Sequence, residues 1–251
     1  MDGVIAVLTA ADIGPQVPMI QPRMEPHPDY IPFHQPVIAR DKVNFVGEPI
    51  AVVIADSAAK AEDALDAIVV DIEPLPALTN CQAALRGDIL LMEGTSKNSP
   101  GALVGSKGDP DPIFASAPYV RRESFRVHRH SAVPLEPRGL LAEWDATQGR
   151  MTVSGAAKVP FHNKRALAKL MNLPADSVTM LENDVGGGFG VRGEFYPEDF
   201  LVPFAARLLG RPVRWVEDRR ENLMATNHSR EAECHIEVAC DRDGRILALR
   251  A

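Results

Sequence analysis

Asp184-Val185-Gly186-Gly187-Gly188-Phe189-Gly190 stands between a short apolar run, Val178 to Leu181, and a long amphipathic one that begins at Pro197. The first is short and flanked by polar residues, as a strand is. The second places Phe200, Leu201, Phe204, Ala205, Leu208 and Leu209 on one stripe, starts on a proline suited to a first helical turn, and stops at Gly210 with Pro212 beyond. A helix is therefore predicted from Pro197 to Leu209. Between strand and helix, successive glycines leave backbone amides uncovered, so an anionic or highly polar group can approach them closely. A tight turn without a ligand is the competing reading of the same residues.

The neighbouring segments extend the pattern. Val213 to Val216, Gly139 to Trp144 and Met151 to Ala156 read as strands, and a helix is predicted from Pro160 towards Met171, with Leu167, Leu170 and Met171 apolar and Pro174 beyond its end. Glu231 to Cys240 alternates, with Ala232, Cys234, Ile236 and Val238 on one face and Glu231, Glu233, His235 and Glu237 on the other. That is a strand with one face in solvent. Asp241 to Gly244 is a turn, and Arg245 to Leu249 the returning strand of a hairpin, inside which the chain is expected to stop.

Towards the amino end, Gly47-Glu48-Pro49 precedes a buried-strand pattern at Ile50 to Ile54. A helix capped by Asp56 or Ser57 follows, carrying Ala61, Ala64, Leu65 and Ile68 on one face, and Val69 to Ile72 reads as the next strand before Pro74 and Pro76. This predicts a β-α-β centre for a small α/β domain. Gly14 to Pro36 is dense in proline and reads as a loop, and Arg86 to Pro118 has turn-formers without sustained periodicity. The predicted organisation is α+β: a small α/β domain over residues 1–85, a connector over 86–115, and a larger domain with a mixed sheet over 116–251. Ile50 to Ile54 and Val213 to Val216 then belong to different sheets.

Composition narrows the function. The 251 residues carry a formal net charge of −7, with 45% apolar and 24% charged residues, a globular balance without the clustered Lys and Arg that phosphate backbones or anionic lipid require. Neither nucleic acid nor a membrane is an expected partner. No apolar run approaches ~20 residues and no basic-then-apolar leader opens the chain, so a cytoplasmic address is expected. Cys81, Cys234 and Cys240 are too few and odd for a disulfide framework. Cys234 and Cys240, roughly 20 Å apart on one strand face, read as packing residues. His128 and His130 share a face if their stretch is a strand, but no further ligand stands nearby, so no metal site is read there. Glu136 and Glu194 are isolated carboxylates, and Arg219-Arg220, set among Glu217, Asp218 and Glu221, reads as a solvated mixed-charge surface.

Gly188, Gly190 and Gly193 also satisfy the G-x-G-x-x-G spacing of a dinucleotide-binding turn, with Glu217 at the end of the next strand as a candidate ribose acid. Against this, Asn183 to Val185 separate strand from glycines, and Glu194 to Tyr196 separate Gly193 from the helix. A nucleotide-binding oxidoreductase remains an alternative.

The glycine segment resembles the pterin-cofactor loop of molybdenum hydroxylases, the family of xanthine dehydrogenase, aldehyde oxidase and carbon monoxide dehydrogenase large subunits. Gly47-Glu48-Pro49-Ile50-Ala51-Val52-Val53 is similar to the hammerhead-like α/β domain of that family, and Pro134-Leu135-Glu136-Pro137-Arg138-Gly139 to the start of its molybdenum domain. Gly210 to Arg219, continuing to Glu221-Asn222-Leu223-Met224, resembles the carbon monoxide dehydrogenase branch. The resemblance implies an internal piece of the large subunit, truncated at both ends. It further implies oxidative hydroxylation of an aldehyde, aromatic heterocycle or carbon monoxide-like substrate with water as oxygen source. The implied cofactor is a molybdopterin cytosine dinucleotide with molybdenum, held by Gly186, Gly187, Gly188, Phe189 and Gly190, with Phe189 walling the substrate pocket.

Implied partners are the rest of the large subunit, an iron-sulfur small subunit and an FAD-binding medium subunit. Two positions depart from the pattern. Ala157-Lys158 replaces a threonine-glutamine pair whose glutamine bonds the metal centre; Lys158 donates but does not accept, and its charge favours an anionic ligand. Purine-oxidising relatives carry a glutamate where this chain has Gly193, with Glu194 one step later, which points away from xanthine. The catalytic glutamate of the family lies later than Ala251, so no catalytic residue and no metal ligand is expected here. A non-catalytic fragment that needs a complementary chain is the rival reading.

Overall fold

The structure, a computed structural model, describes residues 1–23, 28–155 and 159–251. The amino-terminal part holds β1 (Val4–Leu8), α1 (Ala10–Ile13), β2 (Met19–Ile20), β3 (Gln35–Pro36), β4 (Val52–Ala55), α2 (Ala58–Leu65) and α3 (Cys81–Arg86). There follow α4 (Asp111–Ser116), β5 (Tyr119–Val127), β6 (Gly139–Asp145), β7 (Arg150–Gly155), α5 (Pro160–Leu170), β8 (Val178–Leu181) and α6 (Pro197–Leu209). The chain continues with β9 (Val213–Val216), α7 (Arg219–Ala225), β10 (Ala232–Cys240) and β11 (Ile246–Arg250). Met1–Pro100 with Ala132–Asn227 forms one compact unit, and Gly101–Ser131 with His228–Ala251 another. Among the described residues no helix is long and apolar enough to cross a membrane.

The first unit is organised by the mixed sheet β8-β7-β6-β9. β6 is antiparallel to β7 and β9, whereas β7 and β8 are parallel, a pairing that needs a crossover, and α5 lies in it. Ala142, Met151, Val153 and Val178 of the sheet meet Leu167 and Ala168 of α5 and Phe200, Leu201 and Ala206 of α6. Each large side chain buried this fully contributes about 2 kcal/mol. The backbone N–H of Tyr196 donates to the Asp199 carboxylate (2.8 Å), which secures the start of α6. Gly210 closes the helix in the left-handed conformation (φ 60°). The helix runs on through Pro203, since burial of its flanks outweighs the lost hydrogen bond and ring clash of an interior proline, together about 3 kcal/mol.

The amino-terminal segment belongs to the same unit. β1 pairs antiparallel with β4, and Leu8 and Ile54 pack on Ala205 of α6. The strands around Ile54 and at Val213–Val216 lie in different sheets, as expected. Two expectations fail. Val69 to Ile72 is no strand: Val69 is 94% exposed and the segment pairs with no described strand, so β4 sits in a long-range antiparallel pair with β1 and not in a β-α-β unit. A short β-branched segment is a strand only where a ladder partner exists, and Pro74 and Pro76 cannot extend one. Within the predicted loop from Gly14 to Pro36, Met19–Ile20 and Gln35–Pro36 form a short antiparallel pair.

The second unit is the antiparallel sheet β11-β10-β5. β5, unassigned from sequence because its charges mask the period, pairs with β10 along its whole length, from Tyr119 opposite Cys240 to Val127 opposite Ala232. Cross-strand pairs Arg122–Glu237 and Arg126–Glu233 reinforce that register. Cys234 is exposed, so it is not the packing residue expected; all three cysteines are free thiols.

Candidate functional site

The glycine segment falls in the irregular stretch 182–196 between β8 and α6, and residues distant in sequence hold it. Gly186 N–H donates to Glu136 Oε2 (2.7 Å), and Glu136 N–H donates back to Gly186 O (3.2 Å). A side chain at 186 would have its Cβ 2.6 Å from Glu136 Cβ, so only glycine permits this approach. Arg192, 3% exposed, donates from Nε to Gly187 O (2.7 Å), and from its terminal nitrogen to Glu136 O (2.7 Å), Glu136 Oε2 (2.9 Å) and Pro137 O (3.0 Å). Val191 N–H closes onto Gly188 O and Gly193 N–H onto Gly190 O.

The loop's carbonyls are thus tied inward at Gly186, Gly187, Gly188 and Gly190, while the N–H groups of Gly187, Gly188, Phe189 and Gly190 meet no acceptor among the described residues. With no cis peptide among the described residues, the tied carbonyls of Gly186, Gly187 and Gly188 send the N–H groups of Gly187, Gly188 and Phe189 the opposite way. The result is a ledge of donors. Gly190 has φ 106°, and no atom lies within 4 Å of the Cβ it lacks, so the space beyond is open. Phe189 is held at φ 46°, a left-handed conformation that a bulky side chain adopts only under constraint. It is nonetheless 79% exposed.

A second polar cluster backs this region. Arg138, 7% exposed, grips Glu217 through Nε (3.0 Å) and a terminal nitrogen (2.6 Å), reaches Glu198 (3.1 Å), and lies 4.0 Å from the ring centre of Tyr196 and 5.2 Å from that of Trp215. Glu217 also accepts from Arg138 N–H (3.0 Å) and Asn222 Nδ2 (2.8 Å). Burial opposes the Arg138 charge, but Glu198 and Glu217 outweigh it and hold its pKa above the arginine value. Burial pushes Asp199 up to about 7, against the pull of the Tyr196 N–H and Arg138, and it pushes the Tyr196 hydroxyl up to about 12.

Several sequence-derived readings change. Arg219 is no solvated charge: it donates to Pro134 O (2.8 Å), Leu135 O (2.9 Å) and Asn222 Oδ1 (2.9 Å), and so pins the segment that carries Glu136; Arg220 is exposed as expected. Glu136, read as an isolated carboxylate, touches the glycine loop. Glu194 is 3.7 Å from Arg23, and its carbonyl accepts from Asn163. The dinucleotide reading of Gly188, Gly190 and Gly193 fails, because α6 begins at Pro197, which has no N–H, with Glu198 and Asp199 in its first turn. Acidic groups occupy the place of a pyrophosphate. Glu217, the ribose candidate, is committed to Arg138.

Lys158 lies outside the described residues. Exposed His130 turns its Nδ1 to His128 O (3.2 Å), and among the described residues no group of His, Cys, Asp or Glu could hold a metal. Sequence reasoning missed Arg192 and Arg138, whose only signal was their position in the two motifs.

A molybdopterin-type group suits this ledge by its donor set: adjacent backbone N–H donors match a cofactor rich in acceptor oxygens, and the space at Gly190 is open to it. Comparison with known proteins agrees. Residues 95–251 match the family model described as molybdopterin cofactor-binding domain, and residues 1–76 the one described as aldehyde oxidase and xanthine dehydrogenase, a/b hammerhead domain. The chain is 39% identical over 218 residues to the 6-hydroxypseudooxynicotine dehydrogenase complex subunit gamma of Paenarthrobacter nicotinovorans, covering 87% of this chain and 27% of that one. It is 33% identical over 264 residues to the carbon monoxide dehydrogenase large chain of Afipia carboxidovorans, covering 100% and 32%.

Quinoline 2-oxidoreductase from Pseudomonas putida 86 superimposes with a TM-score of 0.85 at 35% identity, over 99% of this chain and 32% of that chain. Aldehyde oxidoreductase from Desulfovibrio gigas gives 0.88 at 29% identity, over 99% and 27%. The chain therefore spans about a third or less of each of these four relatives. With both family models matched in order and the glycine loop set at the sheet's end, the chain belongs to the aldehyde oxidase and xanthine dehydrogenase family of molybdopterin-binding proteins, of whose large subunit it represents the hammerhead domain and part of the cofactor-binding domain.

Proposed function

We propose that this chain supplies the first part of the cofactor seat of a molybdenum hydroxylase that oxidises an aldehyde, an aromatic heterocycle or a carbon monoxide-like substrate. The observation that carries the reading is the ledge itself: N–H groups of Gly187, Gly188 and Phe189 that meet no acceptor among the described residues, each opposite a carbonyl that Glu136, Arg192 or Val191 engages, with the N–H of Gly190 next in line. The bound group supplies the oxidation chemistry, with water as oxygen source and electrons leaving through further centres. Gly186 to Gly190 orient it, Phe189 walls the substrate side, and Lys158 donates to an anionic part of it.

In this reading the cofactor is the cytosine dinucleotide form, and iron-sulfur clusters and FAD sit on a small and a medium subunit. The remaining part of the large subunit supplies the general base. The hammerhead domain is assigned to residues 1–85, a connector to 86–115 and the cofactor-binding part to 116–251, whereas the matched family ranges are 1–76 and 95–251. The cytoplasm is the proposed location.

The rival, a non-catalytic piece that acts only with a complementary chain, shares every structural feature and differs in outcome. Pockets for such cofactors enclose most of their ligand, and the ledge is one open wall. The purified chain is therefore expected to hold little molybdenum and to show no dye-coupled oxidation of aldehydes, heterocycles or carbon monoxide. Co-expression with the remaining large-subunit segment and the small and medium subunits should restore molybdenum, pterin fluorescence and turnover together. Turnover by the monomeric chain alone would refute the placement of the base outside it; a co-expressed complex that binds pterin without turnover would favour the rival.

A further inference from the structure

We infer that Arg192 is a positioning residue that turns the Gly187–Gly188 peptide into the strongest donor of the ledge. The inference deepens the proposed cofactor seat and rests on it. Three consecutive peptide units share one arrangement. In each, the carbonyl (Gly186 O, Gly187 O, Gly188 O) accepts a hydrogen bond from within the fold, and the N–H of the next residue (Gly187, Gly188, Phe189) has no acceptor among the described residues. The carbonyl partners differ in kind. Gly186 O and Gly188 O accept from backbone N–H groups at 3.2 and 2.9 Å, whereas Gly187 O accepts from a guanidinium Nε at 2.7 Å.

A charged donor makes a shorter and stronger bond than a neutral one. A bond to the carbonyl polarises the whole peptide, so the N–H on its other side becomes a better donor. Of the three, Gly188 N–H gains most. No reorganisation is then needed when a ligand arrives, which is the condition under which fixed dipoles contribute most to binding and catalysis.

The remaining contacts of Arg192 explain why it stays in place. Its terminal nitrogen reaches Glu136 O, Glu136 Oε2 and Pro137 O, so the guanidinium bridges the glycine loop and the 134–138 segment in a planar fork. Its side chain is 2% exposed, but its carboxylate partner Glu136 is 44% exposed. The positive charge directly under the ledge is thus only partly offset, which favours an anionic or oxygen-rich ligand. A lysine keeps the charge and loses the fork. It would stand as a point donor, able to satisfy Gly187 O or Glu136 but not the whole set.

Two measurements test this. In the full chain, the ¹⁵N resonance of Gly188 reports bonding at the preceding carbonyl, so it should shift upfield in Arg192→Met more than those of Gly187 and Phe189, with Arg192→Lys in between. In the co-expressed complex, Arg192→Met should lower pterin and molybdenum content about tenfold or more, the scale of one charge-assisted hydrogen bond. Arg192→Lys should partly rescue it. Because Arg192 is buried, Glu136→Gln serves as a gentler variant that keeps the fork's carbonyl partners, and its loss of cofactor should be smaller. An unmoved Gly188 resonance, or a folded Arg192→Met complex loaded like the unaltered one, overturns the role of Arg192. An unaltered complex devoid of pterin overturns the reading of the ledge and this inference with it.

Discussion

Two buried arginines, Arg138 and Arg192, line the same small pocket and are put to opposite use. Arg138 ends on carboxylates, Glu217 with a fully buried side chain and Glu198 partly buried, and near the rings of Tyr196 and Trp215. Arg192 ends mostly on carbonyl oxygens, and its one carboxylate partner is half-exposed. The first arrangement neutralises charge and closes on itself. The second leaves charge and donors for something else, which separates a residue that holds the fold from one that presents a surface.

The largest effect should come from breaking the closed cage. Arg138→Met strands the Glu217 carboxylate in the interior with only the Arg138 N–H and Asn222 left to it, and removing one partner of a buried pair costs about 3–5 kcal/mol. Urea unfolding of the chain measures it. A loss below about 1 kcal/mol would mean that the cage does not hold this region. Gly186→Ala comes next. Its new methyl would stand 2.6 Å from Glu136 Cβ, so the loop must separate from the 134–138 segment at about 1–3 kcal/mol, the usual range for forced overpacking. Thermal melting gives the stability, and the pterin content of the complex should fall with it.

The contrast between the two arginines also marks how far the sequence could be read. The helix at Pro197–Leu209, the strands at Val178–Leu181 and Val213–Val216 and the mixed sheet were legible because each buries a periodic apolar set. Val69 to Ile72 was misread because a short apolar run carries no sign of its partner. The glycine loop was conspicuous, but the residues that orient it come from fifty or more positions away, as Glu136 does for Gly186, or look like any surface arginine, as Arg192 and Arg219 do. Hydrogen bonds between irregular segments leave no periodicity, so the bonds of Glu136 and Arg192 to the glycine loop became visible only in three dimensions.

A smaller effect distinguishes the carboxylates of the cage by pH. Asp199 is pushed by burial up to about 7 from the ordinary 3.8. A group with a raised folded-state pKa contributes stability that is complete below its unfolded value and is lost as pH rises through the folded one. The chain should therefore lose stability between about pH 4 and 7 through this residue, at no more than about 1.4 kcal/mol per pH unit. Asp199→Asn keeps an oxygen for the Tyr196 N–H and removes the titration, so unfolding free energies measured across that window should show a flatter slope in the variant. Equal slopes would place Asp199 among the ordinary ionised acids.

The smallest effect on stability concerns the outer face of the ledge, and there it should part company with function. Phe189 is 79% exposed, so its ring gains little from burial, yet its backbone is held at φ 46°. A non-glycine residue in that conformation costs roughly 1–2 kcal/mol, and glycine loses about 0.5–1 kcal/mol more chain entropy on folding than other residues. Phe189→Gly should consequently leave the melting temperature unchanged or raise it slightly. Strain without compensating packing persists where a site requires it. If the ring walls the substrate side, the same variant in the assembled complex should retain pterin and molybdenum but raise KM for bulky heterocycles severalfold, with a smaller change for carbon monoxide, which no wall could orient. A clear loss of stability would show that Phe189 is a packing residue after all, and unchanged KM with full cofactor loading would remove it from the substrate pocket.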